Sequence, residues 1–237
     1  MIWAAEWQLA LRRPRLLVLN VGIPLLLVLP IALGGAPPFH AAAAYAVLFV
    51  LFGTFGSAIP LLRDAEGGIL RRLLLAGGSG PAILLPRIVV GTLLDTLQLL
   101  PAALVILMLG GASGRVWLLL IPTLVGTLLT ANLVGVWIAA VARSLAEGAL
   151  FAAVVSLFLL HGSGVFRTAR PGSPGAALES VLPFGPVHQL LLEGAGGAAL
   201  QLSTGAALLS SCGGALLLGA LTITVSGALI ERIAPAR

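Results

Sequence analysis

The chain has 237 residues, of which 59% are apolar and only 9% are charged, and its mean hydropathy is +1.12. Soluble domains are about 25% charged, so this chain has too little polar surface for water, and we expect it to lie in a lipid bilayer. It contains 13 arginines and no lysine, which excludes the GxxxxGK[ST] loop of nucleotide hydrolases, and its single cysteine, Cys212, excludes an intrachain disulfide.

Six apolar segments, each long enough to cross a bilayer, are separated by charged residues and by glycine and proline clusters. The predicted spans cover residues 16–33, 41–62, 81–109, 116–142, 149–166 and 198–230. Further structure is predicted at 1–15 before the first span, in a loop at 63–80, and in a helical segment at 167–197. The sequence therefore predicts an all-α, polytopic membrane protein with a single transmembrane domain.

The segment at 1–15 has the pattern of an amphipathic helix. Trp3, Trp7 and Leu11 recur at helical spacing, whereas Glu6 and Arg12 occupy other faces. Tryptophan favours the headgroup level of a bilayer, and arginine favours anionic lipid. We expect a helix in the membrane interface, either as a passive anchor or as an elbow helix that helps to seat a partner protein.

The placement of arginines predicts the orientation of the chain. Six spans put both termini on the same side of the membrane. The segments on that side carry nine arginines, namely Arg12, Arg13, Arg15, Arg63, Arg71, Arg72, Arg143, Arg232 and Arg237. The opposite loops carry only Arg115, Arg167 and Arg170, and Arg87 lies just inside the third span. Because positive residues favour the cytoplasmic side, both termini are predicted to be cytoplasmic.

The loop at 63–80 is predicted to form a short cytoplasmic surface helix from about Glu66 to Ala76. Acids at its start suit a helix N-terminus, an apolar stripe follows, and Gly77-Gly78 ends the turn. The residues assigned to this surface are Arg63, Asp64, Glu66, Ile69, Leu70, Arg71, Arg72 and Leu73. Such a helix either folds against lipid headgroups or fits into a groove on another protein.

The segment at 167–197 is too apolar for a solvated loop. Two short helical patterns, at 176–182 and 187–192, flank Pro183-Phe184-Gly185-Pro186. Apolar pieces that are too short to span are typical of re-entrant or interfacial structure, so a short re-entrant segment is predicted on the outer side.

Asp95 and Gln98 lie near the middle of the third predicted span. A carboxyl group inside a bilayer is costly, which makes Asp95 a candidate functional residue. Two interpretations are open: pairing with an arginine or hydroxyl of a neighbouring helix, or a role in a transport pathway.

No arrangement of residues predicts catalysis or a metal site. The segment Leu160-His161-Gly162-Ser163-Gly164 is similar to the serine motif of rhomboid proteases, but the sixth span lacks the histidine that would act as base. We therefore expect no catalytic residue, no metal ligand and no cofactor in this chain.

Five segments, in their order along the chain, resemble the membrane subunits of ABC-2-type ABC transporters. They are Arg12-Arg13-Pro14-Arg15, the loop at 63–74, the turn at 142–148, Ser163-Gly164-Val165-Phe166 and Leu182-Pro183-Phe184-Gly185-Pro186. In that family an R-x-x-G-T-L-E-x-L-like loop forms the coupling helix that docks into the ATPase subunit. Here Gly68-Ile69-Leu70-Arg71 replaces G-T-L-E, so a basic residue stands where the family has an acidic one.

The resemblance implies a permease subunit of an ATP-driven exporter in the bacterial cytoplasmic membrane. Two permease subunits, identical or different, would form a 12-span pathway for a hydrophobic or amphipathic cargo. Separate ATPase subunits would bind ATP and Mg²⁺, and no nucleic acid is expected as a partner. The loop at 63–80 would be the coupling helix, and the segment at 167–197 would gate the exit, with Phe166, Pro183 and Phe184 as candidate gate residues.

Two alternative functions remain open. The loop Asp64-Ala65-Glu66-Gly67-Gly68-Ile69-Leu70 is similar to the D-x-x-D-G-S-L-E loop of the haem-exporter B subunits of cytochrome c maturation. The other alternative is a channel or scaffold that uses no ATP.

Overall fold

A computed structural model describes residues 2–12, 14–167, 169–170, 172–197 and 204–234. Within these ranges the chain forms eleven α-helices and no strand. The helices are α1 (Ile2–Leu11), α2 (Pro14–Leu33), α3 (Pro38–Glu66), α4 (Ile69–Leu75), α5 (Gly80–Gly110), α6 (Gly114–Val141), α7 (Leu145–Gly162), α8 (Pro174–Val181), α9 (Phe184–Gly194), α10 (Thr204–Thr224) and α11 (Ser226–Ile233). Arg13, Arg237 and residues 198–203, which the sequence analysis assigned, lie outside the described residues.

Six of these helices, α2, α3, α5, α6, α7 and α10, are long and apolar enough to cross a membrane. This confirms the predicted all-α fold with six spans. A helix satisfies all its own backbone hydrogen bonds, which a bilayer requires because lipid offers no partner. The amphipathic role of α1 and the re-entrant placement of the segment at 167–197 stay predictions.

The core of the bundle is built around α6. In the most apolar 18-residue stretch of α6, 72% of the residues are buried. Helices α3 and α10 pack against α6. Small residues permit this approach: a Cβ at Gly135 would lie 2.5 Å from the backbone oxygen of Thr54, and one at Gly126 would lie 2.9 Å from that of Ser211. Helices α2, α7 and α10 bury far fewer of their residues.

The bundle has two ends, which we name after the short helices found there. The α4 end contains α4, α11, the ends of α3 and α6 and the start of α7. The α9 end contains α8, α9, the end of α5 and the start of α6.

The predicted second span was too short at the α4 end. The sequence analysis ended it at residue 62, whereas α3 continues to Glu66 and stops only at Gly67. Gly68 then has a φ of 69°, a left-handed conformation that glycine adopts without strain, and α4 begins at Ile69. The predicted start of the surface helix at Glu66 was therefore wrong.

The predicted fifth span, 149–166, was placed four residues too late at both ends, because α7 covers Leu145–Gly162. Ser144 begins α7 by accepting a hydrogen bond from the backbone N–H of Glu147 at 3.2 Å. At the other end Gly164 has a φ of 74°, so Phe166 lies beyond the helix.

The predicted sixth span, 198–230, does not continue as one helix. In the described residues α10 ends at Thr224 and α11 starts at Ser226, and Val225 between them has a φ of −102° and a ψ of 11°. Gly80 permits the start of α5 to pack closely against this break, since a Cβ there would lie 2.7 Å from the backbone carbon of Ser226. Helix α11 then buries Leu229, Ile230 and Ile233 and leaves Glu231 and Arg232 exposed.

Candidate functional site

A polar cluster connects α3, α5 and α6 inside the bundle. Asn132 of α6 donates from Nδ2 to Oδ2 of Asp95 on α5, at 3.0 Å. Ser57 of α3 donates from Oγ to Oδ1 of the same amide, at 2.5 Å. Asn132 is fully buried, and Asp95 and Ser57 are each 8% exposed. We call Ser57, Asp95 and Asn132 the Asn132 cluster, because the amide bridges the other two side chains.

Close helix packing leaves little space around Asp95. A Cβ at Gly56 would lie 3.3 Å from Asp95 Oδ2, and one at Gly91 would lie 3.4 Å from Asn132 Oδ1. Among the described residues no arginine forms an ion pair with Asp95. The partner is thus an amide, rather than the arginine or hydroxyl considered from the sequence, and an asparagine within an apolar run is the signal that would have indicated it.

Gln98 is not joined to the Asn132 cluster, although it lies one turn further along α5. Its side chain is 7% exposed, and its Oε1 has no hydrogen-bond partner among the described residues. The two polar residues predicted in the third span therefore have separate environments.

Helix α4 is held to the bundle by the buried Leu70, with Leu73 and Leu74 packed beside it, and exposes its other four side chains. Leu70 is fully buried in an apolar cluster with Leu62, Ile83 and Leu84. In contrast, Ile69 and Leu75 are 39% and 79% exposed, and Arg71 and Arg72 are exposed as well. We call Ile69, Arg71, Arg72 and Leu75 the α4 surface.

An ion triad joins α1, α3 and α5 near the α4 end. Arg87 of α5 lies between two carboxylates: its Nη2 is 2.7 Å from Oδ2 of Asp64, and its Nε is 3.1 Å from Oε1 of Glu6. All three side chains are between 14% and 21% exposed. We call these residues the Arg87 triad. The sequence analysis placed Arg87 just inside the third span and did not foresee its two partners, which are distant along the chain.

The segment between α7 and α10 packs into the α9 end of the bundle. Phe184, at the start of α9, is fully buried in a cluster with Val165 and Leu160. The backbone oxygen of Pro183 accepts a hydrogen bond from Thr127 Oγ1 of α6, at 3.2 Å. Phe166, by contrast, is 47% exposed and lies outside this cluster. Of the three candidate gate residues, the structure therefore brings together only Pro183 and Phe184.

His188 lies on the same helix as Phe184 and is 4% exposed. Its ring contacts the edge of Phe39 with centroids 5.3 Å apart, and Nε2 has no hydrogen-bond partner in the described part of the chain. Because burial disfavours the charged imidazolium, the pKa of His188 falls from 6.5 to about 4.

The chain matches one known protein family over most of its length. The family model described as ABC-2 type transporter matches residues 1–171, which is well over half of the chain. The chain belongs to the ABC-2 type transporter family. Neither the comparison with curated proteins nor that with solved structures found a match. The matched residues include the Asn132 cluster, the Arg87 triad and the α4 surface, and the resemblance noted in the sequence is confirmed.

In this ABC-2 permease the residues predicted to dock an ATPase form two groups. Ile69, Leu70, Arg71, Arg72 and Leu73 lie on α4, whereas Arg63, Asp64 and Glu66 lie in the last turn of α3. No glycine or proline lies between Pro60 and Gly67, so the acids end one helix instead of beginning another.

The two acids of that turn have partners within the permease. Asp64 pairs with Arg87, and Glu66 Oε1 accepts a hydrogen bond from the backbone N–H of Leu145 at 3.1 Å. Carboxylates are unfavourable at a helix C-terminus, and these contacts offset that cost. They therefore connect the end of α3 to α5 and α7.

Substituting Arg87 by methionine is expected to lower the stability of the permease in detergent. The change removes the cation that the shielded carboxylates of Glu6 and Asp64 share, which costs about 1–2 kcal/mol, or a few degrees of melting temperature. The matched control is Arg63→Met: Arg63 lies 3.9 Å from the same Asp64, but its side chain is 54% exposed. We expect no measurable shift there, and equal shifts in both variants would contradict a specific role of the triad.

The permease is also expected to lose stability in acid through His188. Between about pH 6.5 and pH 4 the unfolded chain protonates this residue while the folded chain does not, so the free energy of unfolding decreases as the pH falls. A shift from 6.5 to about 4 corresponds to roughly 3 kcal/mol across that interval. The difference between the melting temperatures at pH 7.5 and pH 4.5 should therefore be smaller in His188→Leu than in the wild type. An equal difference in both proteins would show that His188 does not cause the loss of stability in acid.

Proposed function

We propose that the chain is the membrane subunit of an ATP-driven exporter in the bacterial cytoplasmic membrane, with both termini and the α4 end in the cytoplasm. The observation that carries this proposal is the α4 surface. A short helix is anchored by the buried Leu70, while apolar and basic side chains remain exposed beside it. Exposed apolar side chains next to guanidinium groups favour contact with another protein. ATP and Mg²⁺ belong to a separate ATPase subunit in this proposal, because the chain has no lysine for a phosphate-binding loop.

The position of α4 supplies a route for coupling. Only Gly67 and Gly68 separate it from α3, and residues 76–79 separate it from α5. A push on α4 by closing ATPase subunits would reach both spans directly. These spans carry Ser57 and Asp95, which are both bonded to Asn132 of α6. The three spans would then tilt as a unit and change the pathway from inward to outward access.

At the opposite end, Pro183 and Phe184 are proposed to close the exit. Both are buried where α9 meets α3 and α6, and Pro183 is bonded to Thr127 of α6. A tilt of α6 would therefore move this contact. Two permease subunits would form the pathway, and the apolar surroundings of the exit suit a hydrophobic or amphipathic cargo.

The test is co-expression of the permease with ATP-binding-cassette ATPase subunits from its source organism. We expect Arg72→Asp/Leu75→Asp to abolish co-purification and to reduce permease-dependent ATP hydrolysis at least about tenfold, because two exposed contacts of the α4 surface become acidic. The matched control, Arg170→Asp/Val181→Asp, makes the same kind of change, from a basic and an apolar residue, at exposed positions of the α9 end.

That control should bind the ATPase normally if the α4 surface is the docking site. Normal co-purification and ATP hydrolysis by Arg72→Asp/Leu75→Asp would overturn the docking proposal. Leu73, which the sequence analysis also assigned to the docking surface, is half-buried, so Leu75 is the cleaner choice for substitution.

A further inference from the structure

A groove of about 610 Å³ opens at the α4 end beside the α4 surface. It is lined by the end of α3, by α4, by the end of α6 with the turn that follows it, and by α11. Leu62, Ile233 and a row of alanines at 140, 142 and 234 make much of its lining apolar. The groove is therefore both large and mostly nonpolar.

Three arginines from different elements also line this groove. Arg71 comes from α4, Arg143 from the turn between α6 and α7, and Arg232 from α11. Among the described residues that line the groove, one is acidic: Glu66, whose carboxylate accepts a hydrogen bond from the backbone N–H of Leu145. Three guanidinium groups against one acid give the groove a net positive charge, although the segments that supply them are far apart in the sequence.

The combination selects a class of ligand. Guanidinium groups bind phosphate oxygens in pairs of hydrogen bonds, so the charged lining favours a phosphate group. The groove has the volume of sites that enclose whole small molecules, about 300–1,000 Å³, which is far more than one phosphate ion needs. Its apolar lining suits hydrocarbon, and it lies where the membrane-spanning helices α3 and α6 end.

We propose that this groove binds the phosphate headgroup of an anionic amphiphile, with part of its hydrocarbon against the apolar lining. The site requires the chain to be a membrane protein but does not depend on ATP coupling. The docking variants and the groove variants therefore test different statements. A purely acidic peptide would suit the arginines equally well, but without apolar side chains of its own it would leave the apolar lining without a partner.

The first experiment measures selectivity on the unmodified chain. Purified permease in a neutral detergent is titrated with fluorescent phosphatidylglycerol, and phosphatidylcholine, inorganic phosphate and a hexaglutamate peptide are tested as competitors. We expect unlabelled phosphatidylglycerol to compete at least about tenfold better than each of the other three. Equal competition by phosphatidylcholine would show that the negative charge of the lipid does not contribute to binding. Equal competition by phosphate or by the peptide would show that the hydrocarbon does not contribute. Each result would overturn the proposal.

The second experiment locates the site. Arg143→Gln/Arg232→Gln should weaken phosphatidylglycerol binding about tenfold, and Arg143→Lys/Arg232→Lys should weaken it less, because lysine keeps the charge but not the paired hydrogen bonds. The matched control, Arg12→Gln/Arg15→Gln, removes two other exposed arginines of the same end and should bind like the wild type. Equal losses in both glutamine variants would assign the binding to general surface charge and refute the groove. All substituted side chains are exposed, so the variants should fold, and the selectivity measurement does not depend on them.

Discussion

Replacement of Gly135 by leucine is expected to leave little folded permease. Gly135 lies where α6 crosses α3, and a Cβ there would be 2.5 Å from the backbone oxygen of Thr54 and 3.0 Å from Cβ of Ser57. Backbone atoms of a packed helix cannot turn aside as a side chain can, so the two helices must separate. Separation also breaks the hydrogen bond from Ser57 to Asn132. We expect a loss of about 3 kcal/mol or more, which exceeds the usual cost of overpacking because a helix crossing and a buried hydrogen bond are lost together.

The measurement is the monodisperse fraction in size-exclusion chromatography, together with the melting temperature in detergent. Gly22→Leu is the matched control, since Gly22 also lies inside a spanning helix, but a Cβ placed there would have nothing within 4 Å. It should fold with a yield close to that of the wild type. If both variants lose the same amount of folded protein, the α3–α6 crossing is not the sensitive contact that the structure indicates.

The second large effect is expected at Asn132. Substitution by leucine leaves the carboxyl group of Asp95 and the hydroxyl of Ser57 buried without their partner. Unpaired buried polar groups cost about 1–3 kcal/mol each, so the variant should lose about 2–4 kcal/mol in total. Asp95→Asn keeps an oxygen that can accept the hydrogen bond from Asn132, and it should cost less than about 1 kcal/mol.

A double-mutant cycle separates this interaction from simple loss of packing. In Asp95→Leu/Asn132→Leu no donor or acceptor of the pair remains unsatisfied, so the double variant should be more stable than Asn132→Leu alone. Additive losses would show that Asp95 and Asn132 do not depend on each other. Transport by the reconstituted permease, measured in Asp95→Asn, then tests the pathway role: normal transport would make Asp95 a structural residue, and lost transport with normal stability would place it in the pathway.

The spans themselves could be predicted because a bilayer demands long apolar helices, and composition alone reveals these. The element ends were harder. The acids Asp64 and Glu66 look like the start of a helix when only local preference is considered. Helix α3 nevertheless continues through them, because Arg87 pairs with Asp64 and the backbone N–H of Leu145 donates a hydrogen bond to Glu66. Likewise α7 begins before the predicted span because Ser144 caps its N-terminus. The span was predicted from its apolar residues alone, and the capping serine lies outside them.

The candidate sites were predictable only in part. Asp95 stands out in any hydropathy plot, but its partner Asn132 lies in another span, and helical periodicity does not say which spans face each other. Phe166 and Phe184 look equally suited to a gate in the sequence, and the structure buries only Phe184.

The sequence by itself determined that this chain is an all-α, six-span membrane protein that resembles the ABC-2 family, and it excluded the lysine-containing phosphate-binding loop. These properties depend on composition, on the order of short segments and on the absence of lysine. Only the tertiary structure decided which charges meet: it paired Arg87 with Glu6 and Asp64, and it gathered Arg71, Arg143 and Arg232 around one groove. The physical reason is that electrostatic contacts depend on distance in space, and in this bundle they join residues from helices that are far apart along the chain.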